Sequence, residues 1–149
     1  MTGLPMNISV FDPMKVEVGP IGPMMAAKVE DEKLKAFFES KSAEEGDGNL
    51  SGIVIGDSER MGVGVGTWEP GQHTKEPITC HFDEVLFVVQ GSFQVTEGHQ
   101  KYSASTGECI HIPCGSTVNF SSDLGCRLVW VTSPPTWKAF EMAMRGEDH

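Results

Sequence analysis

From residue 52 onward, apolar and polar positions alternate in short runs, each closed by a turn signal. This rhythm predicts strands at 53–55, 61–67, 84–90, 93–96, 101–104, 108–112, 118–120 and 127–132, with turns at Glu97-Gly98, Thr106-Gly107 and Cys114-Gly115. Antiparallel sandwiches and barrels show that spacing. The most apolar run, Val85 to Val89, is β-branched and aromatic, as a buried strand should be. It lies within Gly71 to Gly91, GQHTKEPITCHFDEVLFVVQG, which reads as strand, break, second strand and glycine turn. A second stretch, GECIHIPCG from Gly107 to Gly115, echoes it and ends in a Pro-x-Gly corner.

The flanks carry other periods. Pro5, Pro13, Pro20 and Pro23 punctuate residues 1–27, with short alternating pieces at 7–11 and 14–18. Proline at that density predicts an extended arm with edge strands and no helix. Residues 29–42, VEDEKLKAFFESKS, predict a helix with early acids and with Leu34, Phe37 and Phe38 on one face, covering one side of the β-domain. The segment GDGN, 46–49, reads as a loop. After Pro134-Pro135, a short helix is expected over 136–145, capped by Thr136 and striped by Trp137, Phe140 and Met144. The domain reading is an arm and helix, 1–50, packed on a barrel with its C-terminal helix, 51–149. In GVGVG, the alternate glycines Gly62, Gly64 and Gly66 give a strand one bare face, for close approach of a neighbour or for a pocket. The run lacks the spacing of a dinucleotide-binding loop, and the chain has no P-loop.

Composition changes this picture little. At 149 residues the chain suits one domain, and 39% apolar with 21% charged residues is ordinary for a globular protein. The net charge of −10 argues against a nucleic-acid partner. No apolar run reaches the roughly 20 residues of a membrane span, and the N-terminus lacks the basic start and apolar block of a signal peptide. A cytoplasmic protein without a membrane partner is therefore expected. Cys80, Cys109, Cys114 and Cys126 contain no C-x-x-C pair and are expected as reduced thiols buried in strands.

The two glycine-bounded stretches resemble the paired motifs of cupins, small barrels related to jelly rolls. Gly71, Glu84 and Gly91 stand at the first motif's spacing, and Gly107, Pro113 and Gly115 at the second's. The three metal-histidine positions hold Pro77, Thr79 and Val118, and Ser122 stands where the second motif ends in asparagine. Within the superfamily, PITCHFDEV, IPCGSTVNF and the ending RLVWVTSPPTW resemble the cupin domain of the ethanolamine-utilisation EutQ family, over about residues 52–137. The resemblance implies an all-β fold, a single jelly-roll-like barrel carrying an N-terminal arm, one N-terminal helix and a short C-terminal helix. It also implies a small-metabolite site in the lumen, acetate-kinase-like activity in ethanolamine utilisation, and Glu84 as the one retained member of the metal set. A single carboxylate cannot hold a divalent metal against water, so no metal or other cofactor is expected at those positions.

Glu84 is the leading candidate for catalysis, because apolar barrel walls would raise its pKa and make it a usable acid or base. Asp83 should face the other way on a regular strand. His81 is the second catalytic candidate. Thr79, His111, Tyr102 and Trp130 are candidate ligand contacts, and Phe82, Phe87 and Phe120 candidate pocket walls. An alternative is a divalent metal held by His81, Glu84 and His111, with Cys109 alongside, in a lyase, isomerase or dioxygenase. It requires His111 to face the lumen. His73 and His99 fall in predicted turns. Lys75, Lys101 and Arg127 are the barrel's few cations, whereas phosphoryl transfer needs strong charge stabilisation. A third reading is a non-catalytic scaffold. A homodimer is expected, with the arm covering a sheet edge by strand exchange.

Overall fold

The structure, a computed structural model, describes residues 8–43 and 51–146; the GDGN segment lies outside the described residues. Among the described residues, three helices and ten strands follow one another. They are β1 (Gly19–Pro20), α1 (Ile21–Ala26), α2 (Glu32–Ala43), β2 (Ser51–Asp57), β3 (Gly62–Trp68), β4 (Gln72–His73), β5 (Ile78–Thr79), β6 (Asp83–Glu97), β7 (Gln100–Ser105), β8 (Cys109–Ile112), β9 (Thr117–Ser122), β10 (Cys126–Ser133) and α3 (Thr136–Met144). Every strand pairing is antiparallel.

One strand belongs to both walls of the curled sheet. The first half of β6 lies between β10 and β8, and its second half pairs with β7 and β9. The turn expected at Gly91 is instead the bend inside this strand. Gly91 has φ +91°, and a Cβ there would collide with the Gly125 carbonyl and lie 2.9 Å from the Cys126 Cα. Only glycine tolerates both the backbone and the approach. The hairpin turns are as expected, with Gly98, Gly107 and Gly115 at positive φ.

Alternation along β10 separates two faces. Cys126, Leu128, Trp130 and Thr132 are buried, and the residues between them only half-buried. Register sets Trp130 between Leu86 and Gly64, and Thr132 between Glu84 and Gly62. A Cβ on Gly64 would collide with the Trp130 indole, whose Cε2 would lie at 2.6 Å. The glycine run is therefore the floor on which Trp130 lies.

Three expectations for the flanks change. The proline-rich stretch contains a helix, α1. Pro20 is its N-cap and Pro23 sits in its first turn, where no backbone N–H is needed for the ladder. Residues 14–18 form no strand, because the Asp12 carboxylate accepts from the Met14 N–H and its carbonyl from Lys15 and Val16, starting a turn. The Thr136 cap is not made: Pro135 is the N-cap of α3 and no side chain caps it. Helix α2 begins where Asp31 Oδ1 accepts the Leu34 N–H at 3.0 Å. Its residues Leu34 and Phe38 are buried, at about 2 kcal/mol each. Phe38 meets Phe140 of α3 with ring centroids 5.7 Å apart. Met25, Val29, Leu34 and Phe38 join Trp68, Leu86, Phe93 and Trp130 in one core, so the N-terminal helices and the barrel share it.

The arm residues before β1 are anchored from the barrel. Arg127 Nη1 donates to the carbonyls of Pro13 at 2.9 Å and Val16 at 3.1 Å. Cys80 and Cys126 are buried, but Cys109 and Cys114 are exposed, unlike the expected four buried thiols; none of the four is in a disulfide. No helix among the described residues is long and apolar enough to cross a membrane.

Candidate functional site

A cavity of about 600 Å³ occupies the concave side of the sheet. Its strand-borne wall includes Trp68, Phe93, Phe120, Leu128 and Trp130, and its cover is helical, from Ile21 and Met25 of α1 with Phe37 and Phe38 of α2. Trp68 packs edge-on against Phe93 at 5.1 Å, and Phe93 stacks on Phe120 at 5.6 Å. Helix α2, expected only to shield one side of the barrel, thus supplies part of the chamber.

The polar lining is sparse. Thr74, Lys75, Glu76 and Thr136 contribute, and Glu84 does so from β6. Glu84 is half-buried, and no hydrogen bond or ion pair to its carboxylate is present among the described residues. Burial alone pushes its pKa up to about 8, so near neutral pH it is largely the protonated acid. Directly across the strand pair, the Thr132 hydroxyl is buried without a partner, and so is the Trp130 indole N–H. Three polar groups in neighbouring register positions therefore have no hydrogen-bond partner among the described residues. Buried polar groups are seldom left so unless a ligand or water completes them.

Cys80 sits beside this group. Its thiol is pushed up to about 12, first by burial and then by the nearby Glu84 and Cys114. A thiol held protonated is no nucleophile. Burial likewise raises Cys126 to about 11, against a lowering hydrogen bond with Ser122.

The structure brings together only part of the residue set expected from sequence. Glu84 and Trp130 both line the cavity, with Phe82 and Phe120. Phe87 is 39% exposed on the opposite face. His111 is an exposed outer-face residue, paired with Val85 and one position out of phase with Ile112, the partner of Glu84. Since successive side chains of a strand point to opposite faces, His111 and Glu84 cannot share a site. The mixed metal site loses a ligand by that parity, and no group of three His, Cys, Asp or Glu side chains among the described residues could hold a metal. His81 stacks edge-on against Phe140 at 5.7 Å and is not part of the cavity wall. Thr79 is exposed, its hydroxyl 2.9 Å from that of Thr117. Tyr102, on β7, is 49% exposed and also outside the wall. Asp83 faces outward as expected, accepting the Cys114 N–H at 2.9 Å. Sequence reasoning missed Met25, Phe37 and Phe38 as lining residues; the shared face of Leu34, Phe37 and Phe38 was its one available signal.

Comparison with known proteins agrees with this geometry. The family model "Ethanolamine utilisation protein EutQ" matches residues 14–139. "Acetate kinase EutQ" of Clostridioides difficile is 32% identical over 112 residues, covering 70% of this chain and 69% of that protein. The Escherichia coli protein of the same name is 29% identical over 91 residues, covering 60% of this chain and only 38% of its own length. The solved structure of Clostridium difficile EutQ superposes with a TM-score of 0.57 at 26% identity, covering 73% of this chain and 87% of that one. A cupin superfamily protein of Desulfitobacterium hafniense superposes at 0.51 with 13% identity, covering 56% and 75%, a likeness of fold alone. The barrel is a cupin, and the chain belongs to the EutQ family.

Proposed function

We propose that the lumen is a binding chamber for a small metabolite and that Glu84 is its polar anchor. The observation that carries this reading is the unpartnered Glu84 carboxyl and Trp130 N–H in a cavity walled mostly by apolar and aromatic side chains. Ligand sites have this form: a mostly apolar concavity with a few convergent polar groups. As an acid with its pKa near 8, Glu84 can also deliver or accept a proton near neutral pH.

N-phenyl-1-naphthylamine, a neutral reporter whose emission rises in apolar surroundings, tests the chamber directly. One equivalent should bind, and Leu86→Phe or Met25→Trp, each filling the cavity, should abolish binding while the melting transition persists. Unchanged reporter binding in both variants would overturn the reading.

Phosphoryl transfer between ATP and acetate is a second reading, favoured by the name that three relatives carry, "Acetate kinase EutQ". Against it, Lys75 is the single base among the described lining residues, whereas transferring phosphoryl groups need concentrated positive charge. Acetate-dependent ADP formation by the purified chain, reduced in Glu84→Gln, would establish it.

We further infer a homodimer in the cytoplasm. Val85 and Phe87 are 40% and 39% exposed on the outer face, beside His111 and Cys109 on β8 and Val129 and Val131 on β10. In a chain of net charge −10, this largely apolar face, with Asp83 at its edge, is where a second copy can approach with little repulsion. Four cysteines outside any disulfide, two of them exposed, suit a reducing compartment.

A further inference from the structure

The chamber's electrostatics select the charge of its occupant. Two carboxylates, Glu76 and Glu84, line it against one ammonium, Lys75. Ring faces carry the negative end of the aromatic quadrupole and attract cations. Trp68, Phe82, Phe93, Phe120 and Trp130 surround the space into which Glu84 reaches. The net charge of −10 further raises the local concentration of cations and lowers that of anions.

We propose that the occupant of the chamber is an organic cation, an alkylammonium whose apolar body lies against the aromatic wall and whose ammonium group pairs with the Glu84 carboxylate. This deepens the chamber reading and rests on it. An anion would oppose ionisation of Glu84 and lie beside Glu76, with only Lys75 and the Trp130 N–H to hold it. A metal ion would find too few ligands. An alkylammonium satisfies the unpartnered Glu84 carboxylate and uses the apolar wall that a small hydrated ion could not.

Proton linkage gives the proposal a second signature. An ammonium must meet an ionised Glu84, so binding expels its proton and tightens as pH rises toward 8. The groups facing Glu84 do not obscure this window. Its strand neighbours are Ile112 and Thr132, and the helices contribute Ile21, Met25, Phe37 and Phe38. Cys80, the adjoining thiol, stays protonated far above it. Lys75 and Glu76 are the remaining charged groups of the wall.

The experiment is displacement of N-phenyl-1-naphthylamine by three chain-matched compounds: n-hexylammonium, n-hexanoate and n-hexanol. Hexylammonium should displace the reporter at least about tenfold better than hexanoate. Its advantage should be lost in Glu84→Gln, in which hexanol still competes as in wild type. Hexylammonium affinity should rise by up to about tenfold per pH unit between pH 6 and 7.5 in wild type only, the limit for release of one proton. Hexanoate displacing as well as hexylammonium, or hexylammonium indifferent to Glu84→Gln, would overturn the cation while leaving the chamber standing. A reporter that never binds would bring down both.

Discussion

Replacing Glu84 with Gln keeps the side chain's shape and removes its charge, so the pH dependence of stability isolates what burial does to this group. Burial raises the Glu84 pKa from an ordinary 4.5 to about 8. Between those values the unfolded chain has lost this proton and the folded chain has kept it. Stability contributed by the group is therefore fully present below about pH 4.5 and declines as pH rises through 8. The slope is about 1.4 kcal/mol per pH unit, or on the order of 3 kcal/mol between pH 5.5 and 7.5. At about 2–4 °C per kcal/mol for a chain of this size, that is a relative loss of about 5–10 °C. The remaining carboxylates titrate in both proteins, so the measurement is the difference in Tm between wild type and Glu84→Gln, by calorimetry at the two pH values. Glu84→Gln should gain on wild type by that margin on going from pH 5.5 to 7.5. A difference constant to within about 1 °C would mean that the carboxyl is hydrated as in the unfolded chain. The assignment of the cavity as a mostly apolar chamber around a buried acid would then fail.

Other outcomes follow from the same geometry. Gly64→Ala drives a methyl group into the Trp130 indole and should cost about 1–3 kcal/mol with a shift in tryptophan emission, whereas Gly56→Ala, whose Cβ would meet Val63 at an ordinary 3.7 Å, should change Tm little. Purified protein should carry well under one equivalent of Fe, Mn, Ni, Cu or Zn by elemental analysis, since the described residues offer no three-ligand cluster; stoichiometric metal lost on His81→Ala or His111→Ala would reverse that. Removing residues 1–18 takes away the carbonyls that Arg127 holds and should shift the protein toward monomer or aggregate in light scattering. Phe87→Glu places a charge on the outer apolar face and should likewise give monomers at unchanged Tm.

Much of the fold was legible because strand periodicity and glycine turns are local signals. Seven of the strands (β2, β3 and β6 to β10), the Gly98, Gly107 and Gly115 turns and the two amphipathic helices follow from spacing that neighbours in sequence impose, whereas the two-residue β4 and β5 carry no such signal. The errors fell where a local rule had two outcomes. Proline forbids a helix interior but suits a first turn, and α1 took the second course. Gly91 could close a hairpin or relieve a crowded bend, and only the proximity of Gly125 across the sheet decided between them.

The site divides in the same way. Sequence alone singled out Glu84 and Trp130, and the alternating glycines announced a bare strand face. It could not say which face of β8 turns inward, because Cys109 and His111 alternate with Ile110 and Ile112 and either set could have met the lumen. Pairing of Ile112 with Glu84 decided that, since strand register determines parity for every residue in the ladder. Nor could it show α1 and α2 over the cavity, with Met25 and Phe38 completing the wall that Trp68 and Phe93 begin. Those contacts join residues distant along the chain, and burial of apolar surface specifies that such faces be covered without specifying by what. The candidate acid was therefore written in the chain, while its isolation, and with it the displaced pKa and the chamber, came from tertiary packing.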